Sequence, residues 1–412
     1  MTEGQGAAAE WRTGWPLVIA CTLGMTLLNV GFVTAGTFIA PLERQFGWSR
    51  AEISSASMVY VLAGMLLAPP VGMLLDRWGV RRVALPGAML TGLAIALFST
   101  LDGSIVYWLL CWLLLASATQ FVMTTVWVAA VSHHFTLGRK LALSIVATGI
   151  GLSTLIAPNV ANYLIEHHGW RLAYLMMGLG WGGFVALVGF FALHDHRSRQ
   201  RRAKAVAAPA VELPGYTVRE GLRSTAFAKI LCAGFICSLI NIALMFHMVP
   251  ILSWSGLNRD MAVLVTSSLG ITMLAGNIGF GLVGDRVPVR VILAIVVAAP
   301  AISCAILLQP ASSVLQGAIA ANVFGICTGA QMPAFAYLST RYFGLRSLGT
   351  LRGFTSTSGA IATAIGPFVA GLIFDRTGGY MPFLLAGIPM LLLSGALLQS
   401  LGPYPRFEPA TA

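Results

Sequence analysis

Twelve apolar runs, each about 20 residues long or slightly more, decide what this chain can fold into. They lie near residues 15–39, 53–75, 83–101, 105–131, 141–164 and 171–193, then near 227–253, 261–284, 290–309, 313–339, 349–373 and 380–401. A run of this length matches the hydrocarbon core of a bilayer, where only a helix or a closed barrel satisfies its own backbone. Hydrophobic residues make up 57% of the chain and charged ones 9%, and the mean hydropathy is +0.82; a soluble domain does not look like this. The acidic residues fall outside the run cores or at their ends. These features predict an all-α integral membrane protein with twelve transmembrane helices, spans 1 to 12.

The net charge of +11 would suit a nucleic-acid partner, but the distribution of bases follows topology instead. With Met1 in the cytoplasm, all but five of the 25 Lys and Arg lie on cytoplasmic segments. The exceptions are Arg44, Arg50, Arg171, Arg259 and Arg376. Positive charge retained on one side sets orientation, so both termini are expected in the cytoplasm. Residues 194–226 open with Arg197, Arg199, Arg201, Arg202 and Lys204 and continue through Ala/Pro-rich sequence. They read as a linker whose bases sit near anionic headgroups. The six cysteines all lie within apolar runs at no metal-ligand spacing, which suits small buried hydrophobes. Span 1 has no basic segment before it and no cleavage signature, so it is expected to be retained.

The loop between spans 2 and 3 concentrates scarce charge: Gly72-Met-Leu-Leu-Asp76-Arg77-Trp-Gly79-Val-Arg81-Arg82. Gly72 is expected at a close helix approach and Gly79 at a tight reversal. Asp76 can cap a neighbouring helix N-terminus. The pattern returns 209 positions later, with Gly281, Asp285, Arg286 and Arg290 matching Gly72, Asp76, Arg77 and Arg81. The same offset links Gly47 to Gly256, Arg50 to Arg259, Pro158 to Pro367, Gly169 to Gly378 and Gly178 to Gly387. A repeat of this length means two halves of one architecture: residues 1–193 and 227–412, each a six-helix bundle, joined by 194–226. The first loop resembles the G-x-x-x-D-R-x-G-R-[KR] signature of the major facilitator superfamily. The second resembles its degenerate partner, with Pro288 replacing the second glycine. Phe46-Gly-Trp-Ser-Arg50-Ala-Glu52, where Ser49 and Glu52 form a capping box, resembles the bacterial monocarboxylate and oxalate/formate branches. So do Gly366-Pro367 and Asp375-Arg-Thr-Gly378-Gly-Tyr380. The resemblance implies a major facilitator fold working by alternating access. Asp76, Arg77, Arg81, Asp285 and Arg286, with Gly72 and Gly79, would then form its cytoplasmic gate, and Pro158 and Pro367 would kink spans 5 and 11.

Enzyme motifs are missing: there is no P-loop, no G-x-S-x-G, no H-E-x-x-H and no pair of buried carboxylates. No cofactor, metal or nucleic acid is called for. Partners are expected to be a small-molecule substrate, protons and membrane lipids, around a monomer. Polar side chains inside a bilayer cost energy, so they mark candidate sites, although many serve as interhelical glue. The substrate candidates are Asn29 and Thr34 in span 1, Gln120, Thr124 and Trp127 in span 4, His247 in span 7, and Asn277 in span 8. Asn322 and Gln331 in span 10 and Thr355 in span 11 complete the set. His247 is a titratable side chain well inside a span. Two readings stay open: a proton relay, since imidazole titrates near neutrality, or a neutral gate residue bonded to a carbonyl freed by Pro250. Adjacent pairs His133-His134 and His167-His168 at span ends read as surface residues.

The resemblance implies secondary transport of a small organic acid, a monocarboxylate above all, in the inner membrane of a bacterium. One departure stands against it. Carboxylate-carrying relatives place an Arg in span 8, where a guanidinium grips a carboxylate with two hydrogen bonds; here that position is Asn277. The aspartate one turn earlier in animal monocarboxylate transporters falls on Met273, and the span 11 Lys of the oxalate/formate exchangers falls near Thr355. The cavity therefore has no expected fixed charge. This leaves a transporter or exporter of a neutral or amphipathic compound as the alternative, and a non-transporting membrane sensor as one of another class.

Overall fold

A computed structural model describes residues 3–135, 137–193, 215–283, 287–309, 313–344 and 346–405. In order, the helices are α1 (Glu3–Phe46), α2 (Arg50–Ser54), α3 (Ala56–Trp78), α4 (Val80–Leu97), α5 (Ile105–Gln120), α6 (Thr124–His134), α7 (Arg139–Met176) and α8 (Gly182–Ala192). They continue as α9 (Val218–Arg223), α10 (Thr225–Trp254), α11 (Arg259–Val283), α12 (Val289–Ala298), α13 (Pro300–Leu307), α14 (Val314–Phe343), α15 (Leu348–Thr377) and α16 (Met381–Gln399). Among the described residues, 11 stretches are long and apolar enough to cross a membrane. One of them, Leu141–Ala192, is 52 residues long and holds two of the predicted spans. It bends at Gly169, whose φ of 79° and ψ of 159° are not helical. Separated at that bend it supplies spans 5 and 6, and the expected twelve are recovered.

The backbone packs as two compact units, Met1–Trp48 with Val59–Ala208, and Ser49–Met58 with Pro209–Ala412. Residues 49–58 thus belong by contact to the second unit although the repeat assigns them to the first half. The repeat is also visible in the backbone. Gly169 and its partner Gly378 both have positive φ, 79° and 71°, a region that glycine enters without a Cβ clash. Arg81 and its partner Arg290 make equivalent ties. Arg81 donates to the Phe190 carbonyl at the end of α8 (3.1 Å), and Arg290 donates to the Leu401 carbonyl beyond α16 (3.0 Å).

In the first unit, α7 reaches α1 where Gly149 lies against the Thr22 carbonyl. Phe38, Phe98, Trp108, Trp112 and Tyr174 form a continuous aromatic core. In the second unit the closest crossing is α11 on α14, where Gly276 faces the Ile326 carbonyl and Gly329 faces the Met273 carbonyl. Small residues allow this approach, which dispersion then rewards. The approach expected at Gly72 is not present. Nothing lies within 4 Å of where its Cβ would sit, because the close crossings form deeper in the spans. Gly79 does make the reversal, with φ of 85° ahead of α4. Pro158 and Pro367 sit inside helices, and the one break within α7 falls at Gly169 instead.

Of the linker, residues 194–214 lie outside the described residues. Its end is ordered as α9, opened by a capping box between Thr217 and Glu220. The Thr217 backbone and hydroxyl hydrogen bonds hold the Glu220 carboxyl below the usual carboxylate range, since they favour its charged form.

Candidate functional site

Span 4 is discontinuous near the middle of its length. α5 ends at Gln120 and α6 begins at Thr124, so two of the residues singled out from sequence flank a break of three residues. The break leaves the Val122 carbonyl without a helical partner, and the Trp127 indole N–H donates to it at 2.7 Å. Trp127 is 1% exposed and lies against Gly24, so in this arrangement it repairs a helix and does not line open space. Broken helices inside a bilayer are tolerated only where protein or water satisfies them, and they recur at transporter binding sites. Gln120 points across to α3, where it faces Gly64, and its amide N–H donates to the Ala116 carbonyl at 3.3 Å. A second irregularity, a π-helical turn over Met177–Trp181, turns the Trp181 indole N–H onto the Thr26 hydroxyl at 2.8 Å. Such turns are frequent at functional sites. Asn29 is half-buried and Thr124 exposed. Thr34 is buried and spends its hydroxyl on the Val30 carbonyl of its own helix (2.8 Å).

The second unit brings more of the candidates together. Asn241, on α10, donates to the Gln331 amide oxygen on α14 at 2.9 Å and to Cys237 Sγ at 3.3 Å. Its own amide oxygen is buried with no hydrogen-bond partner among the described residues, and an unpaired buried acceptor is costly. On α11, Ser268 donates to Asn322 of α14 at 2.9 Å. Asn277 is exposed one residue from the Gly276 crossing, and Thr355 is half-buried with its hydroxyl on the Arg352 carbonyl (3.0 Å). Of the loop residues, Arg77 is exposed and Arg81 half-buried. The Asp76 side chain, Asp285 and Arg286 lie outside the described residues.

The most developed constellation surrounds His247, which is fully buried. Its Nδ1 lies 2.8 Å from the Tyr380 hydroxyl. Its Nε2 lies 2.9 Å from the Pro367 carbonyl and 3.1 Å from the Ser54 hydroxyl. The carbonyl it meets belongs to α15, not to the stretch freed by Pro250. The Arg50 guanidinium donates to the Tyr380 oxygen at 2.8 Å and stacks 3.6 Å above the Phe374 ring. The Asp375 carboxylate accepts the backbone N–H groups of Arg50 (3.0 Å) and Ala51 (2.8 Å). Ser57 donates to the Ala364 carbonyl at 3.0 Å. The segment 49–58 is thereby held by side chains of α10, α15 and the start of α16. Sequence reasoning named His247 but not Tyr380, Ser54 or Asp375 as site residues. A signal was present: Arg50 is one of the few bases that the charge distribution does not assign to the cytoplasmic side, beside a motif run, and such a base needs a partner.

Two compact units of membrane-length helices, with broken and bulged spans and amides paired between helices, make a polytopic membrane fold. The chain belongs to the Major Facilitator Superfamily, whose profile matches residues 20–258 and 230–411. It is a multi-pass membrane transporter of that family, not an enzyme. It is similar to monocarboxylate transporter 13 of Bos taurus, 24% identical over 392 residues, 93% of this chain and 88% of the relative. Human monocarboxylate transporter 12 is 24% identical over 420 residues, 92% and 77% of the two chains. Mouse monocarboxylate transporter 11 is 29% identical over 180 residues, 43% of this chain and 40% of the relative. Among solved structures, a D-xylose–proton symporter aligns with TM-score 0.72 at 13% identity, covering 95% of this chain and 98% of the other. An inward-facing, unoccupied bacterial homolog of the human lysosomal transporter Spinster aligns with TM-score 0.69 at 16% identity, covering 94% and 96%. At these identities the solved structures speak for the fold.

Proposed function

We propose that this protein is a secondary active transporter, carrying a small monocarboxylate by alternating access, in company with a proton. The reading is carried by one observation: similarity to monocarboxylate transporters runs through 93% of the chain, both repeats included, and is not confined to one loop. The amides of Asn241, Gln331 and Asn322 offer N–H donors that suit carboxylate oxygens. None of them cancels a charge, so the acid is carried with a proton bound elsewhere or on itself. The cytoplasmic gate is assigned to Asp76, Arg77, Arg81, Asp285 and Arg286, with both termini in the cytoplasm of a bacterial cell. Asn277 in place of an Arg favours a second reading, transport of a neutral or amphipathic compound.

The test is uptake by proteoliposomes of labelled monocarboxylates and of neutral aromatics, with and without an acidic exterior. Acid-driven carboxylate uptake is the expected result. Uptake of the neutral compounds alone would transfer the assignment to the second reading.

A further inference from the structure

The contacts of His247 have a fixed hydrogen-bond polarity, and that polarity makes the ring more than a packing residue. A carbonyl accepts only, so Nε2, facing Pro367, carries the ring's hydrogen. The Ser54 oxygen shares that hydrogen as a second acceptor. In a neutral ring Nδ1 is then the acceptor, and the Tyr380 O–H donates to it. The Tyr380 oxygen in turn accepts from Arg50. The chain therefore runs one way, from Arg50 through Tyr380 to His247 to the Pro367 carbonyl, and its last two steps are buried.

A second proton on the ring breaks this order. Nδ1 would become a donor pointing at a phenol whose hydrogen is aimed back at it, and Tyr380 would have to turn that hydrogen away within a fully buried site. The imidazolium would also stand one phenol oxygen away from the Arg50 guanidinium, with two cations bridged by a single acceptor. Among the described residues, the charged and titratable groups facing the ring are Arg50 from segment 49–58, Tyr380 just before α16 and Asp375 at the end of α15. The α10 neighbours Phe246 and Met248 do not ionise. Asp375 has both oxygens on backbone N–H groups of Arg50 and Ala51. Withdrawal of segment 49–58 removes Arg50 and Ser54 together. It takes the guanidinium off the Tyr380 oxygen, which can then accept from a protonated ring.

From this the geometry points to His247 as a proton-binding site whose second proton and the docked 49–58 segment exclude one another. A proton bound from the face where this segment starts releases the segment, and docking expels the proton. The coupling is reciprocal, as it must be between linked sites. This inference rests on the transport reading only in treating the proton as cargo. It supplies the protonation that the amides of Asn241, Gln331 and Asn322 do not offer.

The test is hydrogen exchange of the full chain in nanodiscs, reading the backbone amides of 49–58 from about pH 8 to about pH 5, either side of the ordinary histidine value near 6.5. After division by the chemical exchange rate, the wild type is expected to exchange about ten-fold faster at the acid end, a size usual for linked sites. His247→Gln, which has no proton to gain, is expected to be flat. Arg50→Gln, which keeps the backbone bonds to Asp375 and removes the cation from the Tyr380 oxygen, is expected to show a smaller step. A flat wild type, or an undiminished step in either variant, overturns the proposal; if His247→Gln fails to fold, Arg50→Gln decides. No substrate enters the measurement. An acid step without carboxylate uptake therefore removes the substrate assignment alone, and uptake without an acid step removes the latch alone.

Discussion

The first turn of α2 can be taken apart one hydrogen bond at a time. A helix start leaves up to four backbone N–H groups unpaired. Here Ser49 and Glu52 pair theirs reciprocally through the capping box, at 2.8 and 3.2 Å. Arg50 and Ala51 give theirs to the two oxygens of Asp375, more than 300 residues away in sequence. Asp375→Ala removes both acceptors and leaves the local cap untouched. A hydrogen bond to a charged acceptor contributes roughly 1.5–3 kcal/mol. Asp375 is exposed, so water competes and about 1 kcal/mol per bond is the better figure, about 2 kcal/mol for the pair. That is an approximately 30-fold shift toward the undocked segment. Hydrogen exchange over 49–58 at mildly alkaline pH reads it directly. Asp375→Asn keeps one acceptor oxygen and is expected near five-fold, by the same conversion at about 1 kcal/mol. Unchanged exchange in Asp375→Ala would refute the reasoning, as would a Ser49→Ala effect larger than that of Asp375→Ala.

Three further outcomes follow from the same structure. Gly329→Ala drives a methyl into the Met273 carbonyl at the α11–α14 crossing; overpacking of this kind costs about 1–3 kcal/mol, read as a lower Tm in detergent, and an unchanged Tm would show that the crossing relaxes freely. Asn241→Ala and Gln331→Ala are expected to be non-additive in KM for uptake, with a coupling of about 1 kcal/mol, because the 2.9 Å bond between them orients both; additive effects would place the pair outside the substrate path. Asp76→Asn is expected to leave folding intact and slow uptake, and wild-type rates in Asp76→Asn vesicles would remove that loop from the gate.

The span count was legible because the bilayer imposes one length on every crossing, and the Ser49–Glu52 box because it is local. The 209-residue offset likewise pointed to Arg81 and Arg290 as equivalents, and they are. The break between Gln120 and Thr124 was not legible. Its residues carry no proline or glycine, and the turn is closed by a side chain of the same span, the Trp127 N–H on the Val122 carbonyl, which no residue pattern announces. His247 stood out in the sequence as a titratable group inside a span. Its partners did not, because Ser54, Pro367 and Tyr380 come from three distant segments, and nothing local fixes which carbonyl a buried imidazole meets. Gly72 departs from expectation for the same reason: a small residue permits a close approach, but the neighbouring helix decides whether one occurs.

The arginine struts at the ends of α8 and α16 have a consequence for how such a chain can be assembled. Each strut runs from the third span of a half to the end of that half's last span, so each half closes upon itself at this face. A cut anywhere between residues 193 and 215 severs neither tie. Two polypeptides made separately, one ending and one beginning in that interval, would each carry their own clasp, and segment 49–58 would dock when the pieces meet. A chain that repeats one clasp 209 positions apart is what a single ancestor, copied end to end, would leave behind.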